Sequence, residues 1–247
     1  MKKHKCKILN PILHCQHPLY DGIANCSRKT WLSNKHNDVF SFFYFGSQNL
    51  DQNKIDGDKL FLKCLDRWPQ GGLAYVSTNK MLTALEFCLD NFDFDFLLRT
   101  SSSTYVDYNS LVDFTNKLPD DFVYGGALGK RNFPPKHQEV RYALGHAVLM
   151  SKHFIEHVVE KKDLIISYDL VDDVALGKFV EENDIPTTNF GHNSDFCKWF
   201  LSVDDVKKCK KIPTLSRCKP LGEKTKNHNN WLTHTCELFN VIHKRLS

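Results

Sequence analysis

The stretch FDFDFLLRTSSSTYVD, residues 92–107, passes abruptly from aromatic and aliphatic side chains to hydroxyls. A short apolar run that ends in small polar residues predicts a buried strand whose carboxyl end opens into a loop. Ligands bind at the carboxyl ends of strands in an open α/β sheet, so the stretch predicts a binding edge. Ser101, Ser102, Ser103 and Thr104 would place four hydroxyls at that edge. A serine-rich turn without a ligand is the alternative that these residues alone leave open.

The chain on both sides of this stretch alternates between strand and helix patterns. Apolar runs predict strands at 8–15, 38–45, 59–65, 122–129 and 140–150. Helical spacing of apolar residues predicts helices at 27–32, 79–90, 109–118, 152–160, 173–182 and 229–245. Residues 17–26 and 48–58 are rich in turn-forming or polar residues and predict loops. The alternation predicts one α/β domain, with a core in residues 1–187 and a looser C-terminal segment in residues 188–247.

The composition is that of an ordinary soluble globular protein. The chain has 247 residues, of which 41% are hydrophobic and 25% charged, and its formal net charge is +4. This mild basicity suits a phosphate-bearing ligand without requiring a nucleic acid. No segment approaches the length of a membrane span, and no apolar signal core follows the basic residues 1–7. We therefore expect a protein that is not anchored in a membrane.

The nine cysteines are scattered, and no two of them form a CxxC pair. An odd number without a regular framework predicts free thiols in a reducing compartment, and hence a cytoplasmic protein. One cluster, formed by His14, Cys15, His17 and Cys26, offers the donor atoms of a zinc site. A strand and loop with incidental ligands is the favoured interpretation of that cluster.

Five short motifs, within residues 8–185, occur in an order that resembles the Fringe and β-1,3-galactosyltransferase group of glycosyltransferases. They are Arg28-Lys29-Thr30-Trp31 for Arg-x-Thr-Trp, Tyr44-Phe45-Gly46 for Phe-x-Gly, Asp58 and Asp66 for a strand bounded by aspartates, Tyr142, Gly145 and Ser151 for Tyr-x-x-Gly-x-x-Tyr-x-x-Ser, and Asp172-Asp173-Val174-Ala175-Leu176-Gly177 for Glu-Asp-Val-x-x-Gly. The resemblance implies a GT-A-like fold, with a Rossmann-like mixed central sheet flanked by helices. It also implies a hexosyltransferase whose donor is a nucleoside-diphosphate sugar.

The chain departs from the group at the end of the central strand. Where the group has Lys-Thr-Asp-Asp-Asp, this chain has Arg99-Thr100-Ser101-Ser102-Ser103. The group's aspartates hold a divalent cation on the donor diphosphate, and serine hydroxyls cannot supply that charge. The region that holds the group's metal-binding histidine reads Ser216-Arg217-Cys218-Lys219. Because Arg and Lys neutralise a diphosphate directly, we expect donor binding without a metal.

The resemblance implies a general base and a neighbouring donor-binding acid. Asp173 matches the second acid of Glu-Asp-Val, which takes the proton of the acceptor hydroxyl in an inverting transfer. Asp172, beside it, is expected to contact the donor. The alternative is that both acids only stabilise the first turn of the helix that they precede.

The remaining candidate residues are expected to bind the donor. Thr100 and the serines at 101, 102 and 103 would contact its ribose or phosphates through hydroxyls and amides. Arg28 would reach the nucleotide, with an ordinary surface arginine as the alternative. Arg217 and Lys219 would hold the diphosphate from a C-terminal segment that closes over the cleft, and two exposed cations in a lysine-rich tail are the alternative there.

These observations predict an inverting glycosyltransferase that moves a sugar from a UDP-linked donor to a hydroxyl of a glycan or glycoconjugate. One alternative is a catalytically silent module that keeps the fold and binds nucleotide sugars. Retention of Asp173 argues against this module, and the missing carboxylate triplet argues for it. A second alternative is a nucleic-acid-binding protein with basic loops at 130–136 and 207–211, but these loops lack interleaved aromatic residues for base stacking.

Overall fold

The computed structural model describes residues 3–66, 74–133, 138–220 and 227–247. The strands in these ranges are β1 (His4–Lys5), β2 (Ile8–Leu13), β3 (Val39–Gly46), β4 (Lys54–Asp56), β5 (Lys59–Leu62), β6 (Phe92–Asp93), β7 (Phe96–Ser101), β8 (Thr104–Val106), β9 (Tyr124–Phe133), β10 (Gln138–Ser151), β11 (Thr187–Asn189), β12 (Cys197–Trp199) and β13 (Leu215–Arg217). The helices are α1 (Pro18–Lys29), α2 (Ala74–Asn91), α3 (Tyr108–Thr115), α4 (Lys152–Glu160), α5 (Lys162–Ser167), α6 (Asp172–Glu182), α7 (Val203–Lys208) and α8 (His228–Leu246).

The serine-rich stretch contains the central strand β7, as the sequence predicts. In the described residues β7 lies in a mixed sheet of eight strands, in the order β11-β9-β10-β7-β2-β3-β5-β4. It pairs in parallel with β2 and antiparallel with β10. Two smaller sheets accompany it, one of β1 and β6 and one in the order β12-β13-β8.

Helices cover both faces of the large sheet. Successive residues of β7 show this, because Leu97 packs with α2, α4 and α6 on one face and Leu98 packs with α1, α3 and α8 on the other. This alternation is the period of two that an extended chain imposes on its side chains. Both leucines are fully buried, so the strand is enclosed on both sides.

The order of the strands places a crevice beside β7. From β2 the chain continues outward to β3 and β5, and it then returns to form β7 on the opposite side of β2. α1 and α2 accordingly pack on opposite faces of the sheet. In open α/β sheets a ligand-binding crevice forms at such a point, outside the carboxyl ends of the two strands. Here those ends are Leu13 of β2 and Ser101 of β7.

The prediction of a loop at residues 17–26 was wrong, because α1 begins at Pro18. Pro18 occupies the first helical position, where its missing N–H has no partner to lose. His17 caps the helix, since its Nδ1 accepts a hydrogen bond from the Leu19 N–H at 3.2 Å. Gly22 lies where a Cβ would come within 2.8 Å of the Leu232 side chain, so this glycine permits α1 and α8 to approach closely. Pro18 and Gly22, which were interpreted as turn-forming residues, are the first residue of α1 and its contact with α8.

Other element predictions also need correction. The edge strand β4 lies inside the predicted loop 48–58, and the short helix α5 had no predicted counterpart. β11 is a further short strand that had no predicted counterpart. Of the basic loop predicted at 130–136, residues 130–133 belong to β9, and the rest lies outside the described residues.

The expectation that all cysteines are free thiols was wrong. Cys26 of α1 and Cys236 of α8 form a disulfide, and the other seven cysteines are free. Because disulfides persist in oxidising environments, the cysteine-based argument for a cytoplasmic protein no longer holds. The zinc alternative also loses a donor, because Cys26 is bonded to Cys236.

None of the helices in the described parts of the chain combines the length and apolar character that a bilayer crossing requires.

Candidate functional site

The serine turn, which we define as residues 101–104, joins β7 to β8 at the edge of the crevice. The Ser102 hydroxyl donates to the Leu13 carbonyl oxygen at 2.6 Å and so ties the turn to the end of β2. Ser101 Oγ lies 3.1 Å from Thr104 Oγ1, which donates to the His146 carbonyl oxygen at 3.0 Å. Ser102 and Ser103 are buried and Ser101 is half-buried. Ser101 therefore presents the most accessible of the three serine side chains to the crevice.

Thr100 lies inside the sheet and not at its edge. Its side chain is fully buried, and its hydroxyl donates to Asn10 Oδ1 at 3.0 Å on the neighbouring strand. This hydrogen bond links β7 to β2 within the sheet. The structure therefore separates Thr100 from the serines with which the sequence grouped it.

The C-terminal chain returns to the serine turn through β13. This strand pairs antiparallel with β8, with Arg217 opposite Thr104, and the Cys218 N–H donates to the Ser103 carbonyl oxygen at 2.9 Å. Arg217 Nη1 donates to Ser101 Oγ. Burial, together with the neighbouring charge of Arg99, lowers the pKa of Arg217 to about 10. Ser101 and Arg217, which were both predicted to bind the donor, are thus in direct contact.

Lys219 lies close to Arg217 but contacts a different aromatic ring. Its ammonium lies 4.3 Å from the centre of the Trp231 ring, whereas the Arg217 guanidinium lies 5.9 Å from the centre of the Trp199 ring. The Lys219 carbonyl oxygen accepts a hydrogen bond from Trp199 Nε1 at 2.8 Å. Both cations therefore belong to one layer with the two tryptophans, and Arg217 is the one that contacts the serine turn.

Asp172 and Asp173 begin α6, and their carboxylates have different partners. Asp172 is buried and paired with Arg99 of β7, whose other terminal nitrogen donates to the Gly145 carbonyl oxygen. Asp173 is half-buried. Its Oδ2 accepts from the Gly145 N–H at 2.9 Å, and its Oδ1 accepts from the Val174 N–H at 3.0 Å. Asp172 thus neutralises a buried arginine, while Asp173 is held at the surface of β10 by backbone groups.

Gly145 is the contact on which this arrangement depends. It lies where the pairing of β10 with β9 shifts register between Ala143 and Val148. A Cβ at this position would come within 2.7 Å of Asp173 Oδ2 and closer still to Arg99 Nη1, so a larger residue would displace one or both of these side chains. This irregularity brings Asp173 of α6 and Arg99 of β7 to the same short segment of backbone.

The structure does not place Arg28 with these residues. Arg28 lies in the last turn of α1 and pairs with Asp58 at 2.7 Å, just before β5 begins. It lines a cavity of about 580 Å³ together with residues at the start of β3, whereas the serine turn follows the carboxyl end of β7. The motif aspartate Asp58 is thus the partner of the motif arginine.

A buried cluster around Lys80, at the carboxyl ends of β2 and β5, was not predicted from the sequence. The Lys80 ammonium lies 2.6 Å from Asp66 Oδ1 and donates to the His14 carbonyl oxygen at 2.8 Å, with Cys15 Sγ at 3.6 Å. Asp66 Oδ2 accepts from the Gln16 N–H at 2.9 Å. All three N–H donors of the lysine are therefore occupied, which a buried charge requires. A lysine inside an apolar helical pattern gave no signal of this ion pair.

His14 lies beside that cluster and lines a cavity of about 280 Å³ with Gln16, His17, Phe45 and Phe61. Burial lowers the pKa of His14 from its ordinary 6.5 to about 4. Its Nδ1 is buried without a hydrogen-bond partner in the described structure. The cavity therefore lies next to the β2 side of the crevice. Its lining includes aromatic rings and an uncharged histidine.

The serine turn does not have the donor set of a divalent cation site. Hard cations bind carboxylate and phosphate oxygens, and this turn offers hydroxyls with a guanidinium in contact. The two nearest acids of α6 are engaged by Arg99 and by backbone N–H groups. Within the described ranges no group of three or more His, Cys, Asp or Glu side chains is arranged to hold a metal ion.

Two solved structures resemble nearly the whole chain. One is a glycosyltransferase involved in the glycosylation of the major capsid of PBCV-1, with a TM-score of 0.53 and 8% identity, covering 95% of this chain and 98% of the other. The second is the galactosyltransferase LgtC in complex with donor and acceptor sugar analogues, with a TM-score of 0.50 and 12% identity, covering 95% of each chain. No protein-family model and no curated protein matches the sequence.

The two likenesses show the fold, which is that of the GT-A-type glycosyltransferases. The sequence prediction of a mixed central sheet flanked by helices is therefore confirmed. The comparisons support the glycosyltransferase fold and do not support the narrower assignment to the Fringe group.

Proposed function

We propose that the protein is an inverting glycosyltransferase that transfers a sugar from a UDP-linked donor to a hydroxyl of a glycan or glycoconjugate. The observation that carries the proposal is the contact of Arg217 with Ser101 at the end of β7. It puts a cation and a hydroxyl at the crevice where a GT-A fold has its ligand-binding edge. The ordered motifs between Arg28 and Gly177 support a distant relation to the Fringe group as part of the same proposal.

The proposed reaction assigns a separate task to each side of the crevice. The acceptor oxygen attacks the anomeric carbon, the bond from that carbon to the diphosphate oxygen breaks, and the proton of the hydroxyl passes to the Asp173 carboxylate. The leaving diphosphate takes the electron pair of the broken bond. Its charge is stabilised by the Arg217 guanidinium, which can grip two phosphate oxygens at once.

The backbone contacts of Asp173 suit the role of base. The backbone N–H of Gly145 holds one oxygen of the Asp173 carboxylate. The position of this carboxylate is therefore fixed by a backbone group and not by a flexible neighbouring side chain. Asp172 is neutralised by Arg99 and adds no second negative charge next to an incoming diphosphate. A contact of Asp172 with the donor, as the resemblance implies, would have to compete with this ion pair.

The catalytically silent module is the second candidate function. The turn without carboxylates favours it, because a protein that only binds nucleotide sugars has no need to stabilise a leaving group. Both candidates predict UDP binding, and they differ in turnover.

The test combines binding with turnover. A panel of nucleotide sugars is screened for an increase in the unfolding temperature, since a ligand that binds only the folded state raises the apparent stability. Sugars that stabilise the protein are then assayed for donor hydrolysis and for transfer to glycans. We expect UDP-sugars to stabilise the protein and at least one of them to be turned over.

Arg217→Ala is the decisive variant in that assay. It should weaken UDP binding by roughly 1.5–3 kcal/mol, the scale of a hydrogen bond to a charged group. Lys211→Ala is the control, because Lys211 is exposed and pairs with the exposed Asp195. UDP binding without turnover would favour the silent module, and unaltered UDP affinity in Arg217→Ala would remove the diphosphate site from the proposal.

A further inference from the structure

Trp199 is a large apolar side chain left exposed beside the serine turn. Five large apolar residues of the described chain are exposed, and two of these, Trp199 and Leu201, lie two residues apart at the end of β12. Trp199 is 38% exposed and Leu201 is 45% exposed. An exposed aromatic ring at the rim of a binding site marks a contact surface, whereas a single exposed leucine elsewhere needs no explanation.

The indole of Trp199 is held in place by its polar edge. Its Nε1 donates to the Lys219 carbonyl oxygen at 2.8 Å, and the Arg217 guanidinium lies 5.9 Å from its ring centre. The segment after it is also fixed, because the Leu201 N–H donates to Asp205 Oδ2 at 3.1 Å. A ring that is already immobilised loses little conformational entropy when a ligand packs on it.

A short series of contacts connects Trp199 to the proposed base. Its ring centre lies 6.5 Å from that of His146, and His146 follows Gly145, whose N–H donates to Asp173. In the parallel pairing of β12 with β13, Trp199 is opposite Arg217, whose side chain contacts Ser101. The exposed indole therefore lies next to the proposed diphosphate site, and His146 and Gly145 connect it to the proposed base.

We propose that Trp199 binds a sugar ring of the acceptor, with Leu201 extending the apolar surface. A pyranose ring has hydroxyls at its edge and C–H groups on its faces, so it can pack on an indole while its hydroxyls stay in water or reach polar neighbours. The inference rests on the proposed function and names the class of acceptor, a glycoside. Trp199 is in this role a substrate-binding residue, and Asp173 remains the base.

The test uses methyl glycosides of the common hexoses and pentoses as probes, with the full chain saturated with UDP. Binding of the glycosides is measured by saturation-transfer NMR, and UDP binding is measured by calorimetry on UDP-free portions of the same samples. We expect at least one glycoside to bind, and Trp199→Ala to raise its dissociation constant by about tenfold, the upper end of the range for one aromatic contact. UDP affinity should fall less than glycoside affinity, because Arg217 keeps its contact with Ser101 in this variant.

Trp199→Phe distinguishes the packing of an aromatic ring on the ligand from the hydrogen bond between the indole and Lys219. Phenylalanine lacks the N–H that bonds Lys219 but keeps an aromatic ring, so it should retain part of the glycoside affinity. Leu164→Ala serves as the control, because Leu164 is 46% exposed on α5, outside the site. Unfolding temperatures confirm that each variant is folded.

Three results would overturn the inference: no glycoside of the panel binds to the UDP-loaded protein, Trp199→Ala keeps the wild-type affinity, or the Phe and Ala variants lose affinity equally. The last result would mean that the hydrogen bond to Lys219 matters and the ring does not. Because UDP binding is measured in the same samples, a protein that does not bind UDP contradicts the proposed function instead.

Discussion

Asp173 receives hydrogen bonds on both carboxylate oxygens, and this shapes what its replacement will do. An asparagine has one carbonyl oxygen, so Asp173→Asn keeps either the bond from Gly145 or the bond from Val174 and loses the other. If Asp173 is the base, turnover should fall by about 10²–10⁴-fold, the usual contribution of one acid–base group. Donor affinity should be unchanged, because the base faces the acceptor. Stability should fall by only about 1 kcal/mol, for one lost hydrogen bond.

Asp163→Asn is the matched control for that variant. Asp163 also lies in the first turn of a helix, α5, but it is exposed. It shares the favourable interaction with the helix N-terminus and lacks the contact with Gly145. Steady-state transfer kinetics and thermal unfolding of both variants decide the role, and full turnover in folded Asp173→Asn protein would show that the aspartate only stabilises the helix.

His14 predicts a loss of stability in mild acid. Burial lowers its pKa from 6.5 to about 4, against the opposing effects of Asp21 and Asp66, and Lys80 lowers it further. Between these two pH values the unfolded chain binds the proton and the folded chain does not, so the free energy of unfolding falls as the pH falls. The loss over this window is about 3 kcal/mol from His14, and His146, whose pKa is also lowered, contributes in the same direction.

Urea unfolding at several pH values between 4 and 7 measures this effect. His14→Phe is the variant of choice, because the side chain lies among the rings of Tyr20, Phe43 and Phe45. The free energy of unfolding of this variant should change less steeply with pH than that of the wild type. The difference in slope should correspond to at most one proton. An identical pH dependence in the two proteins would show that His14 does not resist protonation.

At the scale of whole elements, the sequence predicted the strands and helices that a local pattern determines. β7 and α4 were predicted because an apolar run or a helical period lies within each of them. α1 was predicted to start too late, because Pro18, which begins α1, and Gly22, which lies against α8, are residue types that are also common in loops. Residue types alone do not distinguish these uses from a turn.

In the candidate site, too, the sequence predicted only what a local pattern determines. The serine turn and the acids of α6 were found because they are continuous in sequence. The role of Gly145 and the ion pairs of Arg99 and Lys80 join elements far apart in the chain. Arg28 was grouped with the serines through the resemblance, and the topology places it beside Asp58 instead. Pairing across elements is a property of the fold and leaves no local pattern.

The disulfide between α1 and α8 supports the layer that carries Arg217. Thr235, next to Cys236, donates to the Cys218 carbonyl oxygen at 2.8 Å, so α8 is bonded to β13 beside Arg217. The two cysteines are separated by 210 residues. Closing so long a loop restricts the unfolded chain, and replacing both cysteines by serine should lower the free energy of unfolding by about 4–5 kcal/mol.

Denaturant unfolding checks the size of that loss, and thiol counting checks its cause. Without reductant, the unfolded wild type should show the seven free thiols. Cys209→Ser is the control, since Cys209 is a half-buried free cysteine, and its stability should stay within about 0.5 kcal/mol of the wild type. Nine reactive thiols in the unfolded wild type would contradict the disulfide.

At the scale of the whole molecule, the chain has the GT-A-type fold although its identity to the two solved structures is 8% and 12%. The fold depends on the alternation of apolar strands and helices, which tolerates extensive substitution as long as volume and pattern persist. The chemistry at the crevice depends on a few side chains at strand ends. Fold and site therefore vary independently, and a changed site has to be tested by its chemistry.

The serine turn has no carboxylate, and this predicts a reaction that needs no divalent metal. With Arg217 in contact with Ser101, a cation already lies where a diphosphate would bind, and a metal ion at the turn would be repelled by it. UDP affinity and transfer rate should therefore survive dialysis against EDTA and should not rise when Mg²⁺ or Mn²⁺ is added. In Arg217→Ala, by contrast, the unpaired diphosphate charge should make UDP binding weak at every metal concentration. A strict requirement for Mn²⁺ in the wild type would show that other carboxylates, such as Asp66 after release from Lys80, hold the metal, and that Arg217 does not replace it.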